Sequence, residues 1–193
     1  MKNVLIINGH QPFPTAKGRL TQTLVELAAE AAIAKGHTVQ TSSVLQFDTE
    51  AEVQKHLWAD IIIVQFPIYW MTVPWPLKKY MDEVFSAGSA GIFCNGDGRS
   101  SKNPTAGYGS GGLLGGKRYL LSVTFNAPRQ AFDNPGEYLF QGRSVDDLLF
   151  PVHMSYRSFA MQALPTFACF DVLKNPDLAN DFLRFGQHLA DCL

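Results

Sequence analysis

Cysteine is scarce in this chain of 193 residues, and the few present do not cluster. Cys94, Cys169 and Cys192 stand far apart, with no CxxC pair and no Cys/His run at metal-ligand spacing. That argues against a zinc-held or disulfide-held scaffold, and an odd, sparse set fits a reducing cytoplasm. Long apolar runs are missing too. The stretch Val4 to Ile7 breaks at Asn8-Gly9, too short for a signal-peptide core or a membrane span. Charge of one sign is also lacking: 16 Lys and Arg against 17 Asp and Glu leave a formal charge of −1. Bulk electrostatics therefore draws the chain to neither nucleic acid nor an anionic membrane. No GxSxG elbow, Walker A loop or Cys nucleophile motif is present. His10, His37, His56, His153 and His188 are scattered, none at metal-ligand spacing with a carboxylate, so no metal is expected. His56 and His188 read as exposed helix residues, and His37 opens a strand at the end away from the ligand crevice argued for below. Protein-derived acid–base chemistry is thus poorly supported, as expected where a cofactor carries the reaction. Repeats, linkers and low-complexity tracts are absent as well, and a single domain over 1–193 follows.

What is present is aromatic and periodic. Aromatics reach 12%, and they gather in residues 58 to 85. There Ile61, Ile62, Ile63 and Val64 form a β-branched run suited to a strand buried on both faces. Pro67 ends it, and Ile68-Tyr69-Trp70-Met71 follows. Two readings of that aromatic loop are open: packing, in the core or at a subunit contact, and the wall of a site for a flat ligand. In chain order, Asn3 to Asn8 reads as strand one, Gly18 to Lys35 as a helix and His37 to Val44 as strand two. Thr49 to Trp58 fits a short helix. Asp60 to Phe66 is strand three, and Pro76 to Phe85 the helix after it. A flexible Gly- and Ser-rich segment over 86–116 precedes strand four, Lys117 to Thr124. An irregular excursion over 129–150 leads to a helix over Pro151 to Ala163. Strand five is Pro165 to Asp171, and Pro176 to Leu193 closes the chain as a helix. Strands alternating with helices predict an α/β, doubly wound, five-stranded parallel sheet of flavodoxin-like order 2-1-3-4-5, with helices on both faces.

That order brings loops 9–19, 67–75 and 125–128 to one rim. The first enters a helix N-terminus, where free N–H groups favour an anion; Lys17 and Arg19 add positive charge, and Thr21 and Thr23 add hydroxyls. Simple helix capping by Thr15 or Lys17-Gly18 would also explain the loop. His10 lies in this loop and could assist there. Tyr108 sits in GYGSGG, whose glycines precede a strand, against a dinucleotide fingerprint. Its ring could cover a ligand or be incidental. Thr124-Phe125-Asn126-Ala127 ends strand four at the crevice, where backbone N–H groups and the Asn126 amide could meet the polar edge of a heterocycle.

NVLIINGH with KGRLTQTL, then WADIIIVQFPIYWMTVPWPLKKYMDEVF, then KRYLLSVTFNAP resemble the flavodoxin-like NAD(P)H:quinone oxidoreductases, and within them the bacterial modulator of drug activity B branch. The likeness continues through DGR, YGSGGL and LPTF. The Trp70 to Lys78 pattern W-x-x-x-P-x-x-L-K is its most specific part. The resemblance implies FAD at the interface of a homodimer, with NADPH or NADH as co-substrate and two-electron, ping-pong reduction of small quinones. It places Ala16, Lys17, Gly18, Arg19, Leu20, Thr21, Gln22 and Thr23 at the FAD phosphates. Pro67, Ile68, Tyr69, Trp70 and Met71 would line the ring, with Tyr108 touching the cofactor from the partner subunit. Thr124, Phe125, Asn126 and Ala127 would take the flavin's polar edge. Ala16 stands where Ser is expected, so a phosphate hydroxyl is missing or comes from Thr15, Thr21 or Thr23. The alternatives are an FMN-dependent azo- or nitroreductase and an ancillary flavoprotein subunit of a potassium-efflux system.

Overall fold

The computed structural model describes residues 1–193. A parallel sheet is built from β1 (Asn3–Asn8), β2 (Thr38–Ser43), β3 (Ile61–Pro67), β4 (Arg118–Thr124), β5 (Gln162–Ala163) and β6 (Phe167–Cys169). Its order is β2-β1-β3-β4-β5, with β6 also beside β4. The helices are α1 (Arg19–Ala34), α2 (Thr49–Trp58), α3 (Trp75–Gly88), α4 (Val145–Leu148), α5 (Phe150–Arg157) and α6 (Leu178–Cys192). The expected flavodoxin-like order is the observed one.

The sheet is apolar on both sides because β3 is. Ile61 and Ile63 join a core with Leu24, Ala28, Phe185 and Leu189 from α1 and α6. Ile62, Val64 and Phe66 join a larger core with Val53, Leu77, Tyr80 and Val84 from α2 and α3. Burying each such aliphatic side chain contributes about 1.5–3 kcal/mol relative to leaving it in water. No helix is long and apolar enough to cross a membrane.

Five expectations are corrected. The single strand five is two short pieces, β5 against Arg118–Tyr119 and β6 against Ser122–Thr124. Pro165, which has no N–H to donate, lies in the gap between them. The preceding helix stops at Arg157, not Ala163, because Ala160 turns into the left-handed region (φ 65°) at a position usually marked by glycine. The 129–150 excursion is not irregular throughout. It holds α4, capped reciprocally by Ser144 and Asp147, and it sends Phe132 and Phe140 into the core, stacked at 4.2 Å. The Gly-rich segment is a tied arm instead of a flexible loop. Asn95 N–H donates to Gly111 O at 2.7 Å, Gly109 N–H to Asp97 O at 2.7 Å, and Leu113 N–H to Phe93 O at 2.8 Å. Gly98 and Gly111 sit so close to the opposite backbone that a Cβ would collide with it.

His56 is the fifth correction: it is 1% exposed. The expected exposed face of α2 instead packs on α3. The His56 ring lies among Tyr80, Phe85 and Phe93. Nδ1–H donates to Glu52 O at 2.9 Å, and Nε2 has no partner. The Glu52 carboxylate beside it accepts from Tyr80 Oη (2.6 Å), Ser42 Oγ (2.9 Å) and Lys55 Nζ (2.7 Å). His153 is a strut of another kind. It joins the Tyr119 hydroxyl (2.7 Å) to Asp146 (3.2 Å) and so fastens α5 to β4.

Burial, the chief cause, pushes the folded-state pKa of His56 down to about 4. The unfolded chain takes up that proton below its ordinary value of 6.5, so stability present above 6.5 is lost as pH falls toward 4. We expect about 3 kcal/mol of acid destabilisation from this ring. Urea unfolding at several pH values checks it. The slope between pH 6.5 and 4 flattens in His56→Leu, and an unchanged slope contradicts the assignment.

Candidate functional site

The rim at the carboxyl ends of β1, β3, β4 and β6 is concave. Its first wall is the turn into α1. Phe13 and Ala16 pair through two backbone hydrogen bonds of 3.0 Å, folding the turn back on itself. Gly18 then enters the helix at φ 83°, the left-handed region in which glycine has no steric penalty. No side chain caps α1. The N–H groups of Lys17, Gly18, Arg19, Leu20 and Thr21 donate to no acceptor in the protein. No acidic residue occupies the first turn. Unused donors, the positive end of the helix and two basic side chains are what an anion requires. Of the capping alternatives, Thr15 makes no cap hydrogen bond, while Gly18 takes the N-cap position without a side chain to offer.

The second wall follows β3. Ile68 N–H continues the ladder to Thr124 O at 2.9 Å. Tyr69 and Thr72 then close a two-residue turn with bonds of 3.0 and 3.1 Å, which puts Trp70 (φ 47°) and Met71 (φ 66°) in the left-handed region. Such turns favour Asn-Gly, so two bulky residues there store strain. The Tyr69 hydroxyl donates to Gln11 O at 3.0 Å, tying the second wall to the first. Burial pushes its pKa up.

The third wall comes from β4 and β6 together. Phe125 N–H donates to Cys169 O (2.9 Å), Asp171 N–H to Ala127 O (3.0 Å) and Val172 N–H to Phe125 O (3.1 Å). This zipper brings Asn126, Val172 and Leu173 to the same rim. The β6 loop was missed in the sequence because strand five was read without its outgoing turn. The usable signal was that any parallel neighbour of β4 ends at the same rim.

Between the walls lies a cavity of about 570 Å³. Of the expected site residues, it gathers Ala16, Lys17, Gly18, Arg19, Leu20 and Thr21 from the first wall, Pro67, Ile68 and Tyr69 from the second, and Thr124 and Asn126 from the third. His10, Pro14 and Thr15 also line it. Gln22 and Thr23 face a second, polar cavity of about 520 Å³ on the β2 side of the same helix start. Trp70 is 95% exposed and, with Met71, stands outside both. The Phe125 ring is buried against Phe132 and Phe170, and Ala127 packs on the core. Tyr108 lies in a separate hollow beside Phe85 and Phe159, with Arg99 5.4 Å from its ring centre. No nucleophile of protein origin is on offer: Cys169 is buried, and burial chiefly raises its thiol to about 12.

The sequence pattern of the flavodoxin-like fold family matches residues 2–189. The chain is 42% identical to the NADPH:quinone oxidoreductase MdaB of Haemophilus influenzae, over 97% of this chain and 97% of that protein. The chain belongs to the flavodoxin-like NAD(P)H:quinone oxidoreductases. It is an oxidoreductase by that membership. A second relative is the uncharacterised protein C5H10.05c of Schizosaccharomyces pombe, 47% identical over 97% of this chain and 95% of that one. General stress protein 14 of Treponema denticola, solved in complex with FMN, shares the fold. Its TM-score is 0.62 at 20% identity, over 99% of this chain and 95% of that one.

The strain in the second wall is measurable. Replacing Trp70 by Asn and Met71 by Gly together should stabilise the fold by about 1–2 kcal/mol, because the new pair suits the turn and Trp70 buries almost nothing. Urea unfolding at neutral pH reads the change, and equal or lower stability contradicts the strain.

Proposed function

We propose that the chain is an FAD-dependent NAD(P)H:quinone reductase, with NADPH as the electron donor and small quinones as acceptors. The observation that carries this is the row of unused N–H groups from Lys17 to Thr21, opening into a cavity walled by three turns. The residues present fit the cofactor. The first wall would hold the diphosphate through backbone donors and through Lys17 and Arg19. Thr21 lines the cavity there, and its hydroxyl can stand in for the one that Ala16 lacks. Ile68, Val172 and Leu173 supply apolar surface for a flat ring, and Asn126 a polar edge. When bound, the flavin supplies hydride transfer between nicotinamide and quinone in two-electron steps, one substrate after the other.

The chain's own groups bind and orient. The Tyr69 hydroxyl is committed to Gln11 O, so it braces the walls and does not deliver a proton. Backbone donors at the ends of β3 and β4 suit negative charge on a reduced ring. Reduction by electron pairs would protect a cell against reactive quinone intermediates. Trp70, Trp75 and Tyr108 are large side chains left exposed in one chain, as suits a homodimer that would cover them. In such a dimer Tyr108, which lies away from this chain's cavity, would reach the partner's cofactor. Three free cysteines suit a cytoplasmic setting.

The purified protein should be yellow, release FAD when denatured, and reduce menadione with NADPH. Mass measurement of the released flavin distinguishes FAD from FMN. A protein that stays colourless after incubation with excess FAD or FMN overturns the reading. Trp70→Ala should lower flavin content and quinone reduction in parallel, and full flavin with an unchanged rate removes the second turn from the site.

A further inference from the structure

We propose that His10 is the positioning residue of the phosphate turn: it sets the turn's shape from beneath and does not itself touch the anion. The inference rests on the diphosphate reading above. His10 is 7% exposed, at the base of the turn. Its Nε2 lies 3.0 Å from Ala16 O, and a carbonyl only accepts, so the proton is on Nε2. That leaves Nδ1 as a bare acceptor, closed off from solvent and without a partner. Neither ring nitrogen is therefore free to bind phosphate.

What the ring does is fill space. A Cβ at Gly18 would run into the His10 ring, reaching Nε2 at 2.7 Å. The ring thus occupies the volume over which the left-handed Gly18 passes, and its Nε2–H holds the carbonyl two residues before that glycine. The same Ala16 O also accepts from Phe13 N–H at 3.0 Å, so the hydrogen bond fixes the whole fold-back of the turn. On its other side the ring meets the edge of Tyr69, with centroids 6.3 Å apart. Tyr69 in turn holds Gln11 O, one residue after His10. His10 is thereby the common support of the turn that offers the amides and of the wall that would face the ring. The charged groups that line the same cavity, Lys17 and Arg19, are cationic. Burial, the larger cause, lowers the pKa of His10, so the neutral form that supports the turn is the one present at neutral pH.

The test separates the two halves of the cofactor. ADP probes the phosphate turn alone, riboflavin the ring wall alone, and FAD both. Calorimetric titration of apoprotein gives each affinity. In His10→Phe, which keeps a ring and loses the donor, ADP and FAD binding should weaken about tenfold, the size of one net hydrogen bond. Riboflavin binding should change less than twofold. His10→Gln, which can still donate to Ala16 O, should recover most of the loss. Should His10→Phe not fold, the ADP and riboflavin affinities of His10→Leu give the same reading, because leucine also fills the space without a donor to Ala16 O. Unchanged ADP affinity, or an equal loss for ADP and riboflavin, overturns the inference. Wild-type protein that binds none of the three ligands overturns the diphosphate reading itself.

Discussion

Five backbone N–H groups at the start of α1 have no acceptor in the protein, and the arrangement of the rim follows from keeping them so. A helix start can satisfy such donors with a Ser, Thr, Asp or Asn cap, at a gain of about 1 kcal/mol. Here the position before the helix is glycine in the left-handed region, which offers no side chain at all. The chain gives up that cap and surrounds the open donors with Lys17 and Arg19. It also folds the preceding turn tightly on the His10 ring, and that contact holds the donors in place. That is preorganisation: ordering is done in folding and not charged again to binding.

The sheet makes this arrangement rigid. Because β3 is apolar on both faces, helices cover it on both sides, and the only open parts are its edges and ends. Strand ladders run on into the loops: Ile68 to Thr124, Phe125 to Cys169, Val172 to Phe125. The turns that wall the cavity are therefore extensions of the sheet and not mobile connections. In the second wall the bulky pair Trp70 and Met71 has left-handed backbone that no burial of the Trp70 ring stabilises within one chain. Strained backbone of this kind persists where the surrounding structure over-determines it, and it tends to cluster at ligand-binding and switch regions.

The parts of this molecule visible in the sequence are those written in periodicity and composition. The Ile61–Val64 run announced a two-sided strand, Pro67 its end, and Gly18-Arg19 the start of a helix. Less visible were features that depend on what a segment meets in space. His56 looks polar and exposed on a helical wheel, yet it packs among Tyr80, Phe85 and Phe93, which lie far along the chain. The helix end at Ala160 carries no glycine to mark it. The glycines of 86–116 read as flexibility, whereas several are there because two backbones pass within contact distance. Composition alone cannot separate those two uses of glycine. Val172 and Leu173 joined the site only because β6 pairs beside β4 and ends at the same level. His10 was noticed for its loop, but its buried, one-sided hydrogen bonding is a property of the folded turn.

The account stands on the open donors of α1 being the cradle for a cofactor's phosphates. A crystal structure of the protein grown with FAD tests this most directly. The account predicts phosphate oxygens within hydrogen-bonding distance of the N–H groups between Lys17 and Thr21, with the flavin ring between the turns that follow β3 and β4. A flavin bound elsewhere, or one whose phosphates leave those five groups facing water, would contradict it.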